Sequence, residues 1–330
     1  MSSDVRFGLI GCGGFMRHHL SLLSKVPGAR VVALNDNDPV QIQRTHEAYP
    51  DTKHCPVHTE YQSLLAAGGL DAVIISTPHT LHTQQVLDAL AAGLHVLVDK
   101  PMVTSVVDAN KLIAARDVSG KVCGVSYQRH GTGTFRWLKS VTDSREFGKI
   151  RMVTSHLGQQ WLQFTRGSWR QMASLSGGGQ LNDSGSHMID VLLWFTGLKA
   201  AKVSAFMDFC GTEVDINSVV NVVFEGGEMA SLSVIGDAAC WHERHNIWFE
   251  EALVTLADNT VRVIKRDGTA YTVDHWPGDE TPEQNFVDAI HGKASVLAPF
   301  ECGLRTIELT EAAWRSHELG GQPVDVASLS

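Results

Sequence analysis

Val5-Arg6-Phe7-Gly8-Leu9-Ile10 runs directly into Gly11-Cys12-Gly13-Gly14-Phe15. A short apolar run, then a glycine-rich turn, is how the first strand and turn of a dinucleotide-binding βαβ unit read. Glycines at 11 and 13 let the backbone turn sharply and approach a pyrophosphate, whose charge the amino end of the following helix stabilises. The third position of the G-x-G-x-x-G pattern is Met16, and a side chain of that size predicts an altered turn or a wider helix-to-strand spacing, relieved by Gly14.

The same alternation continues outward from this stretch. Strands are expected at Val5–Ile10, Arg30–Leu34, Cys55–Val57, Ala72–Ser76, His95–Val98 and Val122–Val125. Helices fill the gaps. The clearest is Thr80–Ala92, where Leu81, Val86, Leu87, Leu90 and Ala91 recur at helical spacing before Gly93; another opens at Ser105, with Asp108 completing a capping box. Six strands alternating with helices predict an α/β, doubly wound parallel sheet, a Rossmann domain over residues 1–126.

From 127 to 330 the pattern changes to alternating strands at Ile150–His156, Val203–Phe209, Val219–Phe224, Met229–Ile235, Leu253–Leu256 and Val261–Ile264, with a turn at Glu225-Gly226-Gly227. With helices at Ser186–Phe195 and Glu301–Leu319, this predicts a second, α+β domain built on an antiparallel sheet.

The 330 residues carry a formal charge of −9 without a long basic block, which argues against nucleic acid and anionic membrane as partners and suits a small neutral or mildly polar substrate. Six scattered cysteines form no C-x-x-C pair and read as reduced thiols. No basic, then apolar leader opens the chain, and no run reaches the ~20 apolar residues of a membrane span. The expected compartment is the cytoplasm.

Asp36 lies 25 positions after Gly11, at the end of the second strand, where a carboxylate accepts hydrogen bonds from the adenosine ribose. It also repels a 2′-phosphate, and Asn37 and Asp38 supply no arginine to hold one, so NAD is favoured over NADP. Ser76-Thr77-Pro78-His79 ends the next strand at the same edge, within reach of the nicotinamide half of the cofactor. His79 and His82 lack a third ligand and are expected at a solvent-facing helix start; His242-Glu243-Arg244-His245 is one residue too short for H-E-x-x-H, so no metal is expected. Asp99-Lys100-Pro101 closes a further strand and places an ammonium group at the ligand-binding edge. A second cluster, Gly177-Gly178-Gly179-Gln180-Leu181-Asn182-Asp183-Ser184-Gly185-Ser186-His187, enters an apolar helix. Its glycines suggest that something comes close to the backbone, and Asp183 and His187, four apart, share one side of a helix starting near Asp183.

These features together resemble the Gfo/Idh/MocA family of nicotinamide-dependent oxidoreductases, named for glucose–fructose oxidoreductase and inositol dehydrogenase. The resemblance spans the chain: the opening glycines, Thr77-Pro78, the approach Ala89 to Val96, Asp99-Lys100-Pro101 in place of the family's Glu-Lys-Pro, and the Asp183-x-Gly185-x-His187-x-x-Asp190 tract. Met16 and His79 depart from the family's usual Gly or Ala and frequent Asn. The resemblance implies Lys100, Asp183 and His187 as catalytic residues. It also implies an open-faced, mostly antiparallel second sheet that joins subunits into a homodimer or homotetramer.

The cofactor contacts expected are Gly11, Gly13, Gly14, Phe15, Asp36, Thr77, Pro78, His79, His82, Asp99 and Lys100. Candidate substrate contacts beside the catalytic three are Gln128, Arg129, His130, Trp161, Trp169 and Arg170, aromatic faces and fork-like donors suited to a hydroxyl-rich ring. The implied reaction is oxidation of a secondary ring hydroxyl of a sugar, glycoside or cyclitol, with His187 as base and NAD as hydride acceptor. Two alternatives stand beside it: an NAD-retaining glycosidase or lyase that uses transient ring oxidation, and a non-catalytic NAD-sensing regulator.

Overall fold

A computed structural model describes residues 4–329. The chain divides into two units. The first ends at Val103 and resumes over Val107–Gln128 and Glu280–Gly303; the second holds Thr104–Val106, Arg129–Asp279 and the chain from Leu304 on. The expected first domain stopped at 126, so the return of Glu280–Gly303 to the first unit is the main difference.

Strands β1 (Val5–Ile10), β2 (Ala29–Asn35), β3 (Val57–His58), β4 (Ala72–Ile75), β5 (His95–Val98) and β6 (Cys123–Val125) form one sheet in the order β3-β2-β1-β4-β5-β6. Every pair in it is parallel. A parallel sheet is covered on both faces, so its strands are apolar throughout rather than alternating, and β4 is buried at all four positions. Between them run α1 (Gly14–Leu23), α2 (Pro39–Ala48), α3 (Tyr61–Ala67), α4 (His82–Ala91) and α5 (Val106–Ser119). The strand order reverses between β1 and β4, where doubly wound sheets bind ligands.

Met16 does not disturb the glycine turn. Helix α1 starts at Gly14, and the Met16 side chain is fully buried among Phe7, Leu9, Cys12 and Leu20, a gap the flexible thioether fills.

The second unit is built on a nine-stranded sheet of β7 (Ile150–Gly158), β8 (Ala200–Asp208), β9 (Asn217–Phe224), β10 (Met229–Ile235), β11 (His242–Phe249), β12 (Ala252–Ala257), β13 (Thr260–Lys265), β14 (Ala270–Val273) and β15 (Val324–Asp325). All its pairs are antiparallel except β10 with β7. Strict alternation of burial along β9 marks a sheet covered on one face only. Helices α6 (Gly133–Ser144), α7 (Trp161–Phe164), α8 (Ala173–Ser176) and α9 (Ser184–Thr196) precede β8; α10 (Pro282–Ile290) and α11 (Phe300–Glu318) follow β14. Among the described residues no helix is long and apolar enough to cross a membrane.

Helix α10 completes the first unit's core. Phe286 meets Phe7 with ring centroids 6.3 Å apart, and Glu283 accepts a 2.6 Å hydrogen bond at Oε1 from His19 Nδ1 on α1. Both side chains are 1% exposed. Burial alone would hold the imidazole neutral, but Glu283 and the charge of Asp99 outweigh it and raise the His19 pKa. Removing one partner of such a pair leaves an uncompensated buried group, so Glu283→Gln should cost about 3–5 kcal/mol in urea unfolding at neutral pH. A raised imidazole pKa contributes stability in full below the ordinary ~6.5 and loses it as pH rises through the folded value. The wild-type advantage over Glu283→Gln should therefore shrink toward alkaline pH; an advantage that grows with pH would contradict the pairing.

Candidate active site

In the first unit, four strand ends converge on one sheet edge. Gly11 follows β1 with φ +83°, and a Cβ there would lie 2.6 Å from the Ser76 carbonyl oxygen. Only glycine fits, because both the positive φ and the approach of the β4 end exclude a side chain. Gly13 is different: a Cβ would meet nothing within 4 Å, and at Gly14 only the tip of Arg17 at 3.8 Å. These two positions leave open space above the start of α1, a cradle a dinucleotide's phosphates fit. Phe15 follows, half-buried with its ring 5.2 Å from that of His19.

Asp36 is held just past β2 by two backbone amides, Cys12 N at 2.7 Å and Asp38 N at 2.8 Å. Each of its oxygens keeps a second lone pair for a ribose hydroxyl. Arg17, which the motif did not single out, crosses the same region, donating to the Cys12 carbonyl at 2.8 Å and to Gln41 at 3.2 Å.

Beyond β4, Ser76 Oγ donates to Asp99 Oδ2 at 3.0 Å and Thr77 Oγ1 donates to Gln85 at 2.6 Å, with Pro78 next in the turn. His79 and His82, expected at a solvent-facing helix start, are buried instead, at 3% and 0% exposure. Both ring nitrogens of His82 face backbone carbonyls. Its ring lies 2.9 Å from the Thr77 carbonyl at Nε2 and 2.9 Å from the Pro101 carbonyl at Nδ1, tying the β4 turn to the loop after β5. Burial lowers the His82 pKa although Asp99 and the carbonyls oppose it. Asp99 Oδ1 accepts from the Lys100 amide at 2.8 Å, and the buried Lys100 is joined to Pro101 by a cis peptide bond.

In the second unit, α9 begins at Ser184 with Asp183 at its N-cap position. Its side chain does not cap the helix; Asp183 Oδ2 accepts from Trp161 Nε1 at 2.8 Å and from Arg170 Nε at 3.1 Å. One turn on, His187 is half-buried where Ser186, Met188, Ile189 and Asp190 are all buried. The glycines before it serve a purpose other than ligand approach. A Cβ at Gly177, Gly178 or Gly179 would collide with Thr104, Trp314 or the Asp215 backbone, so it is the chain itself that comes close. Asp215, absent from the motif reading, brackets this loop. Its carboxylate accepts from Gly179 N at 2.9 Å, Leu181 N at 2.8 Å and Trp314 Nε1 at 3.0 Å, and burial pushes its pKa up against those donors.

The candidate substrate contacts separate. Trp161, Trp169 and Arg170 gather around Asp183, with the Arg170 guanidinium 4.4 Å over the Trp169 ring. Gln128 is exposed. His130 is instead fully buried, its Nε2 2.8 Å from Asp190 and its ring stacked on Trp194 at 4.4 Å. Burial raises the Asp190 pKa although His130 opposes it. Arg129 spends both terminal nitrogens on Glu243, one at 2.8 Å. Burial would raise the Glu243 pKa, yet Arg129 and His245 draw it down to about 2. His245 completes this buried network with Ser155 Oγ at 2.9 Å.

Comparison with known proteins agrees with both units. Residues 5–127 match the model of the Gfo/Idh/MocA oxidoreductase family with an NAD-binding Rossmann fold, and residues 135–263 match a Gfo/Idh/MocA C-terminal domain. Among curated relatives, an inositol 2-dehydrogenase of Streptomyces avermitilis is 28% identical over 278 residues, 82% of this chain and 78% of that protein. A 1-carboxy-3-chloro-3,4-dihydroxycyclohexa-1,5-diene dehydrogenase of Comamonas testosteroni is 27% identical over 203 residues, 62% of this chain. That match spans about half the length of the Comamonas protein, 50%. The WlbA dehydrogenase of Bordetella pertussis, solved with NADH and UDP-GlcNAcA, superposes with a TM-score of 0.84 at 23% identity, covering 98% of each chain. That likeness establishes the fold.

The two kinds of glycine at the opening turn are separable by experiment. Gly11→Ala should lower unfolding stability by about 2 kcal/mol or more, through positive-φ strain and collision with Ser76. Gly13→Ala, with no neighbour to strike, should keep its melting temperature yet weaken NAD binding about tenfold or more. Equal melting temperatures for the two variants would refute this division.

Proposed function

Because this chain belongs to the Gfo/Idh/MocA family of NAD-dependent oxidoreductases, we propose that it oxidises a secondary ring hydroxyl of a sugar, glycoside or cyclitol to the ketone, or runs the reverse reduction. The observation that carries this reading is the start of α9, where a carboxylate held by two donors lies one helical turn from the half-buried imidazole of His187. The names of relatives acting on cyclitol and dihydroxy-ring substrates support the substrate class.

Bound NAD would supply the hydride acceptor. Gly11, Gly13, Gly14 and Phe15 would hold its pyrophosphate, Asp36 its adenosine ribose, and Thr77, Pro78 and His79 its nicotinamide half. His82 and Asp99 act one step removed, by fixing the loop that carries Lys100. Lys100 donates to the substrate oxygen and stabilises the charge that develops there. His187 takes the hydroxyl proton, a role suited to imidazoles because they titrate near neutrality. Asp183 orients that ring, and Trp161, Trp169 and Arg170 line the substrate side. Six cysteines outside any disulfide suit a reducing compartment, and we place the protein in the cytoplasm.

The uncovered face of the second sheet supports assembly into a homodimer or homotetramer. Register aligns Val223, Met229, Met152, Trp248, Leu253 and Ile264 in one row across β9, β10, β7, β11, β12 and β13. Four of these are large apolar side chains at least 36% exposed, a patch that monomers rarely leave in water.

His187→Ala should lower turnover by ~10²–10⁴ while NAD affinity, read by fluorescence titration, stays at the wild-type value. A panel of sugars, cyclitols and glycosides scored by NADH absorbance finds the substrate, and net NADH release separates a dehydrogenase from an enzyme that retains its cofactor reduced and reoxidised within one cycle. Unaltered turnover in His187→Ala would overturn the assignment. Trp248→Glu should reduce the mass measured by sedimentation by half or more, because a charge on a buried apolar interface cannot be solvated; a wild-type chain that sediments as a monomer would refute the assembly.

A further inference from the structure

Arg170 keeps terminal donors that two other part-buried arginines, Arg129 and Arg116, spend within the protein. Arg129 spends both terminal nitrogens on Glu243, and Arg116 spends its guanidinium on Glu301 and Asp117. Arg170 donates to Asp183 from Nε alone, at 3.1 Å. Its guanidinium carbon lies 4.4 Å from the centroid of the Trp169 ring and its backbone amide donates to Ser168 Oγ at 3.3 Å. Nη1 and Nη2 find no acceptor among the described residues, and the side chain is 34% exposed.

A guanidinium has five N–H donors in a rigid planar fork. Here Nε is held by Asp183 and the group sits over the Trp169 ring, which leaves the Nη1 and Nη2 end one hydrogen bond from Asp183. An edge of that geometry matches the two oxygens of a carboxylate, and such charge-assisted pairs are roughly twice as strong as neutral hydrogen bonds. Because Asp183 and Trp169 already restrain the side chain, binding costs less rotamer freedom than at an unrestrained arginine. The formal charge of −9 favoured a neutral substrate, but charge spread over the surface is screened beyond about 8 Å at physiological salt, whereas a direct contact is not.

We propose that Arg170 is the specificity-determining residue of the site at Asp183, and that the ring polyol oxidised there carries a carboxylate received by Nη1 and Nη2. This rests on the dehydrogenase reading above and narrows its substrate class to ring polyol acids. The carboxylate acts as a handle that orients the ring toward Asp183 and His187.

The test is a set of matched pairs assayed with NAD: a hexuronate against its parent hexose, a carboxylated cyclitol against the uncharged cyclitol, and a hexose phosphate as a third arm. The wild type should favour the acid by at least about tenfold in kcat/KM. Arg170→Gln should lower kcat/KM for the acid by about 30-fold or more, mainly through KM, and so collapse the acid-to-neutral ratio. Arg170→Lys, which keeps the charge without the fork, should recover part of that ratio. Equal losses on acid and neutral partners would mean that Arg170 only supports Asp183, and the proposal falls. It falls as well if the wild type prefers the neutral partner or the phosphate ester. If no compound yields NADH, the dehydrogenase reading fails by itself. Calorimetry of the hexuronate and the carboxylated cyclitol on the NADH-loaded protein then decides the carboxylate site: binding to wild type that weakens in Arg170→Gln upholds it, and absent or equal binding overturns it.

Discussion

The approach of the β4 end to the backbone of Gly11 is the contact from which the first unit's chemistry follows. With φ at +83° and the Ser76 carbonyl where a Cβ would project, the turn after β1 lies directly against the turn after β4. Ser76 then reaches across to Asp99, Asp99 holds the Lys100 amide, and His82 ties Thr77 to Pro101. A single close backbone contact is thereby transmitted through three side chains to the lysine. Each group in this relay is buried or part-buried, so its cost of misplacement is that of an unpaired polar atom in the interior. The chain tolerates an aspartate before Lys100 because both oxygens of Asp99 already have a neighbouring donor within 3.0 Å.

The parallel sheet was legible because burial on both faces leaves no freedom of composition: β1, β4 and β5 are close to continuous apolar runs. The open sheet was legible where one face is apolar, as in β9 and β10, and illegible in β11. There the covered face carries Glu243 and His245, polar residues tolerated because Arg129 and Ser155 satisfy them. A hydrophobic period cannot register a carboxylate turned to the covered face whose partner lies 114 positions away. Helix α10 went unread despite a local signal, since Thr281 caps the Gln284 amide and Pro282 opens the first turn.

Two inferences from local pattern failed for one reason. Glycines at 177–179 suggested room for a ligand, and His130 suggested a donor toward a sugar; in both cases the space is filled by the chain itself, by Trp314 and Asp215 in the first and by Asp190 and Trp194 in the second. A motif states that a close approach or a polar group is needed. It does not state whether the neighbour is a ligand or the protein.

What separates the two cases is how a buried carboxylate is satisfied. Asp215 receives two backbone amides and an indole, and Glu243 receives Arg129 and His245, so each is satisfied by part-buried or buried groups of the protein itself. Asp183 accepts from a core residue, Trp161 at 2% exposure, and from Arg170, whose side chain is one-third exposed. A carboxylate held between an interior donor and a solvent-reaching one stands at the boundary between structure and site. Asp183 and His187 stand out in the sequence by residue type and by their four-residue spacing; the hydrogen bonds add that Asp183, unlike Asp190 beside the fully buried His130, has a donor that reaches solvent.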